Sequence, residues 1–560
     1  PSEGSARDWD SIYVSGAEGS KFSHCEFKYG GHYDEETALF VDGVNTNISN
    51  CKFGSNVRGL LVRDVDLKIR NCEFINNTQG IAYDNSETEV IGSSFTGNKW
   101  VYGIEDSNGY STLNPSDCTY SDNKGGKRIY VDGEIRNGRS HFKELGLIYV
   151  VDRLRIESGG SLEIDPGVVV KFKDRYSGID IRDNGQMFAE GTSNSPIVFT
   201  SYKDDTYGGD TNGNGPSEGS ARDWDSIYVS GAEDSKFSHC IFRYGESALV
   251  VKGKDLNIKE CLFSLNMDAF KVENGATCTL FSSSFVDNKN YGVYCDDKSS
   301  VEAVNCWWGA SDGPSGAGPG SGDKISQNVN YSPWLNGSIH ATLPGPPRNL
   351  AVDCQKDKIV LSWDGPKDRG GDVVKHYKIY RMSEQNEFTL LSEVEGKIYT
   401  DKYINLDKIY TYKLTAVNSE GESAATKPIS TDQDGDGLPD SWEVLYFSDL
   451  SQNGAMDYDD DQLDNKAELK HKCLPDTKDT DKDTLIDSVE VARGSDPTEP
   501  HMPADVNSDM KVDLQDAILV LQHMSSKINE PKDVDIKTDI NGDGVIGMQE
   551  EIYILKECKK

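Results

Sequence analysis

Residues 47–74 read NISNCKFGSNVRGLLVRDVDLKIRNCEF, and this stretch contains one short pattern twice. A run of alternating residues ends in a small residue, any residue and an aromatic residue, first Cys51-Lys-Phe53 and then Cys72-Glu-Phe74. The same ending recurs elsewhere as Cys25-Glu-Phe27, Ser93-Ser-Phe95, Cys118-Thr-Tyr120, Cys240-Ile-Phe242, Cys261-Leu-Phe263, Ser283-Ser-Phe285 and Cys306-Trp-Trp308. Successive spacings are 26, 21, 21 and 25 residues, then 21, 22 and 23. Self-similarity at such a period indicates a fold of stacked repeats.

Short alternating strands at this period, with Asn, Gly and Asp turns between them, predict a right-handed parallel β-helix. Three of the strands are predicted at Asn47–Phe53, Leu67–Phe74 and Leu256–Phe263. Each coil adds about 4.8 Å along the axis, so equivalent residues stack into ladders. We therefore expect one inward ladder of Cys and Ser and another of Phe.

Cysteines occupy much of the first ladder. The chain has 12 cysteines, and two interpretations are open: disulfides, or reduced thiols that pack as small apolar side chains. Stacked cysteines inside a β-helix favour the second interpretation. The predicted interior thiols are Cys25, Cys51, Cys72, Cys240, Cys261 and Cys306.

A long-period duplication divides this part of the chain. Residues 1–30 recur as residues 216–245 with three changes, Gly19/Asp234, Glu26/Ile241 and Lys28/Arg243. We therefore predict two β-helices, at residues 1–125 and 126–340.

Residues 139–200 resemble the opening coils of secreted bacterial β-helix proteins, and residues 305–334, with Asn305-Cys-Trp-Trp-Gly309, resemble their closing coil. The resemblance implies that the second β-helix is complete and that the first lacks its opening coils. An uncovered strand edge is then expected at Ser11–Ser15. The segment from Asp204 to Asn214 resembles a metal-binding insertion of the same proteins, and a glycine-rich turn is the alternative.

Five acidic loops between residues 432 and 550 have the ligand spacing of EF-hand calcium sites. Oxygen donors at loop positions 1, 3, 5, 9 and 12, with a backbone carbonyl at position 7, suit a hard seven-coordinate cation. The first three loops supply Asp432, Asp434, Asp436, Leu438, Asp440 and Glu443; Asp457, Asp459, Asp461, Leu463, Asn465 and Glu468; and Asp479, Asp481, Asp483, Leu485, Asp487 and Glu490. The last two supply Asp505, Asn507, Asp509, Lys511, Asp513 and Asp516; and Asp539, Asn541, Asp543, Val545 and Glu550. We predict a Ca²⁺ ion in each loop.

Charge is concentrated in the same region. The chain of 560 residues has a net charge of −36, and residues 432–560 carry 32 acidic against 13 basic side chains. This balance argues against nucleic acid as a partner, and no apolar run is long enough to enter a membrane as a spanning helix. The chain opens on Pro1, so we expect a processed or trimmed piece in which a missing signal peptide carries no weight.

Residues 344–430 resemble a fibronectin type III domain, through Leu361-Ser-Trp363, Tyr377-x-x-Tyr380 and Tyr410-Thr-Tyr412. Such a domain is a β-sandwich with one buried Trp. The resemblance implies a spacer or adhesive module.

Residues 432–500, beginning DQDGDGLPDSWE, resemble thrombospondin type 3 calcium repeats. Gln462 and Thr484 stand where these loops usually have Gly at position 6, which would weaken calcium binding at those loops.

Residues 501–560 resemble a type I dockerin, with two calcium loops 34 residues apart that lead into helices at Leu514–Met524 and Met548–Lys556. Met510 replaces the usual Gly of the first loop. The resemblance implies calcium binding and a cohesin-like partner. The partner-recognition positions would be Leu514, Gln515, Met548 and Gln549.

Catalysis is less favoured than binding. Polygalacturonase-like enzymes carry Asn-Thr-Asp, Asp-Asp, Gly-His-Gly and Arg-Ile-Lys segments, of which this chain has only Asp204-Asp205. A lyase-like cluster of Asp64, Asp66 and Arg70 is better explained by alternating surface charge. The insertion of residues 32–36 is either a binding loop or a solvated loop. If the chain is an enzyme, a polysaccharide lyase or glycoside hydrolase is expected.

The sequence therefore predicts a mainly β, secreted protein of the extracellular space or cell surface, stabilised by calcium. Its expected role is structural assembly, with copies joined head to tail, the C-terminal calcium modules of one copy meeting the first β-helix of the next. The alternative is a dockerin-bearing protein that acts on or binds polysaccharide and docks on a cohesin scaffold.

Overall fold

A computed structural model describes residues 5–32, 36–106, 111–124, 126–230, 234–339, 341–382, 386–483, 485–500, 504–507, 511–525 and 547–559. The chain is mainly β and forms two compact units. Unit 1 comprises residues 1–344 with 368–374 and 418–421, and unit 2 comprises the remainder.

Unit 1 is a long parallel β-solenoid whose described strands form three sheets. The first sheet has 19 strands, at Ile12–Ser15, Thr37–Asp42, Arg58–Arg63, Gln79–Asp84, Trp100–Asp106, Arg128–Arg136, Ile148–Glu157, Val169–Phe172, Gly178–Arg182, Ile197–Ser201, Ile227–Ser230, Cys240–Arg243, Ser247–Lys252, Leu262–Ser264, Asp268–Glu273, Ser284–Val286, Tyr291–Cys295, Pro314–Gly316 and Gly322–Ile325. The second has 13 strands, at Ser20–Ser23, Thr46–Ser49, Leu67–Arg70, Ser86–Ile91, Ser111–Ser116, Arg139–Phe142, Ser161–Ile164, Gln186–Glu190, Lys236–Ser238, Leu256–Lys259, Thr277–Phe281, Ser300–Val304 and Val329–Asn330. The third has five, at Glu26–Lys28, Lys52–Gly54, Glu73–Ile75, Ser94–Thr96 and Thr119–Ser121.

Each strand that the sequence predicts as continuous is broken by one residue. Asn50, Asn71 and Glu260 have φ values of 52°, 52° and 55°, in the left-handed region that asparagine tolerates better than most residues. This residue turns the chain just before each Cys-x-aromatic pattern. The predicted strand therefore becomes two shorter strands that lie on different faces of the coil.

The two predicted ladders are confirmed. Phe27, Phe53, Phe74 and Phe95 stack in succession, with ring centroids 4.8, 4.9 and 4.8 Å apart. A second stack runs through Phe199, Phe242, Phe263, Phe285 and Trp308.

The cysteine ladder is likewise interior. Cys51, Cys72, Cys240, Cys261 and Cys306 are buried and Cys25 is half-buried, and all 12 cysteines are free. Burial raises the pKa of the Cys72 thiol to about 12, as expected for thiols in an apolar interior.

An asparagine ladder lies beside the phenylalanines. Asn56, Asn77, Asn98 and Asn123 each follow the aromatic residue by three positions and hydrogen-bond to one another along the axis. Asn266 and Asn288 repeat the arrangement farther along, and Asp323 takes the next position. The amides satisfy backbone groups that would otherwise be buried without partners.

The boundary predicted between residues 125 and 126 is bridged by strand pairing. Trp100–Asp106 pairs in parallel with Arg128–Arg136, and Ser111–Ser116 pairs with Arg139–Phe142. The two predicted β-helices therefore form one continuous solenoid, because residues 128–142 supply a coil that fits the ladder of the coil before it.

Unit 2 begins with the sandwich that the sequence predicts. One sheet contains Arg348–Gln355, Lys358–Asp364 and Ile398–Asp401, and the other contains Phe388–Val394, His376–Met382, Thr411–Val417 and Ile429–Ser430, all antiparallel. Trp363 is buried and meets the ring of Tyr377 edge-on at 5.5 Å.

The described part of unit 2 continues with five helices: α1 (Asp440–Tyr446), α2 (Asn465–His471), α3 (Asp487–Arg493), α4 (Leu514–Met524) and α5 (Met548–Glu557). The last two confirm the helices predicted after the dockerin-like loops. Among the described residues, no helix is both long and apolar enough to cross a bilayer.

Candidate metal centres

Each of the first three acidic loops ends in a short helix. The helices α1, α2 and α3 begin at loop position 9, so the residues at positions 9 and 12 lie on the first turn. This arrangement turns the position-12 glutamates, Glu443, Glu468 and Glu490, into the protein, where all three are buried. The local fold thus brings a helix-borne carboxylate against the aspartates of the preceding loop.

The loop backbone is shaped by the first aspartate. In the first loop, Asp432 accepts hydrogen bonds from the amides of Gly435 at 2.7 Å and Gly437 at 3.2 Å, and both glycines have positive φ. In the second loop, Asp457 accepts from Gln462 at 2.8 Å, and Gln462 has a φ of 80°. A non-glycine residue in this conformation costs about 1–2 kcal/mol, so Gln462 keeps the loop shape at some energetic cost. Thr484 lies outside the described residues.

The carboxylates of these loops converge. Four groups of acidic side chains have ligand atoms within 4.8 Å of one another: Asp432, Asp434 and Asp440; Asp434, Asp436 and Glu443; Asp457, Asp459 and Asp461; and Asp479, Asp481 and Asp483. In the first loop the two groups share Asp434 and between them contain five of the predicted ligands. In the second and third loops, the close groups comprise positions 1, 3 and 5.

Two of the buried glutamates have oxygens without hydrogen-bond partners. Glu443 and Glu468 are 0% and 1% exposed, and neither carboxylate oxygen of either residue has a partner within the described part of the chain. Burial, and then the charges of neighbouring aspartates, raise the pKa of each to about 8. A buried carboxylate beside other carboxylates is unfavourable unless a cation or a proton offsets its charge.

The residues at position 9 are held by hydrogen bonds. Asp440 accepts from the backbone and side-chain amides of Gln433 at 2.9 and 2.6 Å, and Asp487 accepts from the amide and hydroxyl of Thr480 at 2.8 and 2.6 Å. The side chain of Asn465 donates to the carbonyl of Asn453 at 3.0 Å. These side chains therefore lie near the loop and also hydrogen-bond the first residue of each helix to the chain that precedes it.

The fourth loop is only partly described. Asp516 is buried; one of its oxygens accepts from the amides of Val506 and Asn507, and the other accepts from the amide of Asp513. Asp513 in turn caps α4 through the amide of Gln515 at 2.7 Å. Both carboxylate oxygens of the position-12 aspartate therefore already accept hydrogen bonds from the backbone of its own loop. Asp505, Asn507 and Lys511 are described, and Asp509 and Met510 lie outside the described residues.

In the fifth loop, Glu550 is buried and accepts from the amide of Gly547 at 2.7 Å. The predicted ligands Asp539, Asn541, Asp543 and Val545 lie outside the described residues. Helices α4 and α5 pack through a small core that includes Ala504, Val506, Ala517, Val520 and Ile554.

Unit 1 contains a loop with the same turn. Asp210 accepts from the amides of Gly213 at 2.7 Å and Gly215 at 2.9 Å, and both glycines have positive φ, as in the loop of Asp432. A lysine side chain from an earlier strand binds in this segment. The ammonium of Lys171 donates to the carbonyls of Asp204 and Gly209 at 2.8 and 2.9 Å and to the hydroxyl of Thr211 at 2.5 Å.

Lys171 was missed by sequence analysis, because it lies on the strand Val169–Phe172, 33 residues before Asp204. No local motif connects it to the loop.

Two of the residues weighed for catalysis lie on a turn of the solenoid. Asp64 and Asp66 are exposed; Asp64 accepts from the side chain of Asn85 at 2.6 Å, and Asp66 accepts from the amide of Glu87 at 2.7 Å. Both contacts join adjacent coils, which is the structural role expected of alternating surface charge. Arg70 is exposed, and residues 33–35 of the insertion lie outside the described part of the chain.

Comparison with known proteins finds two family models in the chain. The right handed beta helix region matches residues 7–124 and 154–308, and the fibronectin type III domain matches residues 345–432. These matches agree with the solenoid of unit 1 and the sandwich of unit 2.

Solved structures match over short stretches. The twitchin kinase region from C. elegans is 23% identical over 16% of this chain and 16% of its own, with a TM-score of 0.15. A fragment of titin is 20% identical over 19% of this chain and 34% of its own, with a TM-score of 0.16. A fibronectin type III domain of a human protein is 24% identical over 17% of this chain and 89% of its own, with a TM-score of 0.15. This chain thus spans only a small part of the length of the first two.

Proposed function

We propose that this chain, an extracellular-type structural or interaction protein with β-helix and fibronectin type III domains, is a calcium-stabilised assembly protein of the cell surface. In this proposal the solenoid is a rod, the sandwich is a spacer, and the acidic loops form a stalk that calcium stiffens. Copies join head to tail into a surface filament, the C-terminal calcium modules of one copy meeting the first β-helix of the next.

The observation that carries the calcium proposal is the burial of Glu443 and Glu468 beside aspartates. Their carboxylate oxygens have no hydrogen-bond partner among the described residues, and each unsatisfied buried group costs about 1–3 kcal/mol. In each loop, a bound dication would coordinate the two carboxylate oxygens of the glutamate and offset the repulsion between the carboxylates.

The donor set fits calcium. All side-chain donors of the first loop are carboxylates, and Ca²⁺ takes about six to eight oxygen ligands in flexible geometry, whereas Mg²⁺ keeps several waters in a strict octahedron. The predicted Leu438 carbonyl would complete the set in that loop. Extracellular calcium is plentiful enough to fill sites of modest affinity.

Contacts between successive loops support a stiffening role. The amide of Gly454 donates to Asp436 at 3.1 Å, and the amide of Ser488 donates to Asp461 at 3.0 Å. Predicted ligands of one loop are thus bonded to the segment that carries the next. Calcium bound at one loop would therefore order its neighbour.

Calorimetry of the full chain tests the calcium proposal. Calcium should raise the temperature of the unfolding transition that includes the loops, and a chelator should reverse the shift. When the free calcium concentration is about 100 times the dissociation constant of a site, binding at that site adds about 2.7 kcal/mol to the free energy of unfolding. Glu443→Gln should remove part of the shift, while Glu395→Gln, at an exposed position of the sandwich, should leave it unchanged. A melting profile insensitive to calcium would contradict the proposal.

Sedimentation tests the filament. The full chain should form long assemblies in calcium and single molecules in chelator. A chain that ends at residue 500 should remain single in both conditions while its solenoid stays folded. Assembly that persists in the shortened chain would exclude the C-terminal modules as one side of the contact.

A specific surface favours the second candidate function, docking on a cohesin scaffold by a protein that binds or acts on polysaccharide. Helix α4 exposes Leu514, Ile518 and Leu521, which are 61%, 50% and 52% exposed. Helix α5 exposes apolar residues at the same spacing, namely Met548, Ile552 and Leu555. Stripes at this spacing are typical of helices that bind a protein partner. Tight binding of a recombinant cohesin by a single, non-assembling chain would favour this candidate.

A further inference from the structure

One solenoid strand carries a fully buried lysine on its outer face. In Val169–Phe172, the side chains of Val170 and Phe172 belong to the hydrophobic core. Because side chains alternate along a strand, Lys171 between them points away from that core. A lysine in such a position is ordinarily solvated, yet Lys171 is 0% exposed. The segment that binds it is residues 202–215, which we call the cover loop.

The ammonium of Lys171 is surrounded by oxygens of the cover loop. It donates to the carbonyls of Asp204 and Gly209 at 2.8 and 2.9 Å and to the hydroxyl of Thr211 at 2.5 Å. That hydroxyl donates its own proton to the carbonyl of Gly209 at 3.1 Å, so its lone pairs are free to accept from the ammonium. An ammonium has three N–H donors and no acceptor. The three oxygens of the loop therefore match it donor for acceptor.

The carboxylate of Asp204 has its own partners in the protein. Its two oxygens accept from the hydroxyl of Thr200 at 2.6 Å and from the amide of Thr206 at 3.1 Å. Asp204 is as deeply buried as Glu443 and Glu468, whose oxygens have no hydrogen-bond partner in the part of the chain that the structure describes. The observation that favours calcium in the acidic loops is therefore not repeated at Asp204.

A second buried cation binds the same loop. The guanidinium of Arg128 donates to the carbonyl of Thr211 and to the hydroxyl of Tyr202. Its other nitrogens donate to the carbonyl of Lys99 at 3.0 and 2.9 Å. Arg128 thus joins the cover loop to an earlier coil, and Lys171 joins it to the strand Val169–Phe172. Two cations of the protein itself hold the cover loop on the solenoid.

We propose that the cover loop is a cation site whose resident cation is the ammonium of Lys171, and that this part of the solenoid keeps its structure without calcium. The resemblance of the segment from Asp204 to Asn214 to a metal-binding insertion implies a metal ion here. A metal ion at the Asp204 end would need the oxygens that already bind Lys171. Two carbonyls and a hydroxyl carry no net charge, which suits a monovalent cation better than a dication.

The inference does not rest on the proposed function, because it concerns neither the acidic loops nor assembly. It adds that calcium and chelator act on the acidic loops and leave the cover loop unchanged.

Amide hydrogen exchange of the full chain in calcium and in chelator gives the first test. Peptides that cover residues 202–215 should exchange at the same rate in both conditions. Calcium that slows exchange there would assign a metal ion to the cover loop and overturn the proposal. One carboxylate oxygen of half-buried Asp205, which has no hydrogen-bond partner among the described residues, would then be the first ligand to examine.

Chemical labelling of the unaltered chain gives the second test. Lys171 should react with an amine-acylating reagent about tenfold more slowly than Lys173, because the buried ammonium reacts only when the cover loop opens. Lys173 lies two residues later, and its side chain is 39% exposed. Peptide mass spectrometry measures both rates. Equal labelling would show that the ammonium of Lys171 is open to solvent, and the proposal would be wrong.

Removing the lysine and supplying a small cation gives the third test. Lys171→Ala leaves three loop oxygens without their donor, so exchange at residues 202–215 should rise about tenfold. Ammonium or methylammonium chloride should reverse most of the rise. Tetramethylammonium chloride at the same concentration has no N–H donor and should reverse none of it. Lys173→Ala, which removes a charge two residues away, should leave exchange at residues 202–215 unchanged with or without ammonium.

Each other outcome of the third test overturns the proposal. If ammonium gives no reversal while Ile227–Ser230 still exchanges slowly, the solenoid is folded and Lys171 acts by packing alone. If all three salts act equally, the effect is one of ionic strength. If calcium reverses the rise and ammonium does not, the cover loop is a site for a divalent metal.

Thr211→Val keeps the lysine and removes one of its three acceptors, so it serves if Lys171→Ala fails to fold. It should raise the labelling rate of Lys171 and leave that of Lys173 unchanged; an unaltered rate at Lys171 would contradict the site. A chain whose acidic loops bind no calcium would still give all of these results. Failure of this proposal and failure of the proposed function are therefore distinguishable.

Discussion

Replacing Asn77 by alanine tests how much the asparagine ladder contributes to the solenoid. The side chain of Asn77 is 2% exposed. Its oxygen accepts from the backbone and side-chain amides of Asn56, both at 3.0 Å. Its amide donates to the carbonyl of Phe53 and to the side chain of Asn98, also at 3.0 Å.

Asn77→Ala removes these four hydrogen bonds, each of which contributes about 1 kcal/mol net. Two buried groups lose a partner, the amide of Asn56 and the carbonyl of Phe53, at about 1–3 kcal/mol each. Both calculations indicate that the free energy required to open the neighbouring strands falls by about 4 kcal/mol.

Native-state hydrogen exchange measures this free energy strand by strand. A loss of about 4 kcal/mol corresponds to an increase of about a thousandfold in the exchange rates at Lys52–Gly54 and Glu73–Ile75. Asn123→Ala is the matched control. That residue makes three such hydrogen bonds and is half-buried, so water can replace part of them and the loss should be about half as large. A loss below about 1 kcal/mol at Asn77, or equal losses at both sites, would refute the assigned role of the ladder.

Three further predictions concern separate features. Ile227→Ala should destabilise the solenoid by about 2–5 kcal/mol, whereas Ile12→Ala should cost less than half as much because Ile12 is already 42% exposed; urea unfolding of the two variants checks this, and equal losses would contradict it. Burial raises the pKa of the Cys72 thiol to about 12. This thiol should therefore resist alkylation at neutral pH in the folded chain and react once the chain is denatured without reductant. A disulfide-linked peptide that contains Cys72 would exclude the thiol ladder. Burial raises the pKa of Glu422, but hydrogen bonds from Lys378, Tyr380 and Thr415 outweigh it and lower the pKa to about 2. The stabilisation from Glu422 is therefore present above pH 4.5 and lost as the pH falls from 4.5 towards 2, so the difference in melting temperature between the parent chain and Glu422→Gln should shrink over that range.

The sequence alone was sufficient to predict the solenoid and its inward ladders. Each coil places chemically similar residues at the same point, so the packing of Phe53 on Phe74 is visible as a spacing of 21 residues. The sandwich with its buried Trp363 and the helices α4 and α5 were also predictable. The asparagine ladder had the same kind of signal, an Asn three residues after the aromatic residue, and could have been found from it.

The acidic loops are a mixed case. Position 1 and position 12 are recognisable from spacing, because ligand geometry is set within 12 consecutive residues. The carboxylate groups around Asp434 and Asp459 agree with that spacing. The sequence could not show that Asp440 also accepts hydrogen bonds from Gln433, or that Asp516 accepts them from the backbone of its own loop. Such hydrogen-bond partners depend on the conformation of the closed loop.

Only the tertiary structure decided where one coil meets the next. It joined the two predicted β-helices through the pairing of Trp100–Asp106 with Arg128–Arg136, and it placed Lys171 inside the loop that begins at Asp204. It also showed that Ile12 and Ile227, which have the same sequence neighbours, differ in burial. The physical reason is that a ladder repeats the same side chain at every coil and so appears as a period in the sequence. The burial of one particular side chain, or a single long-range hydrogen bond, occurs once and has no period.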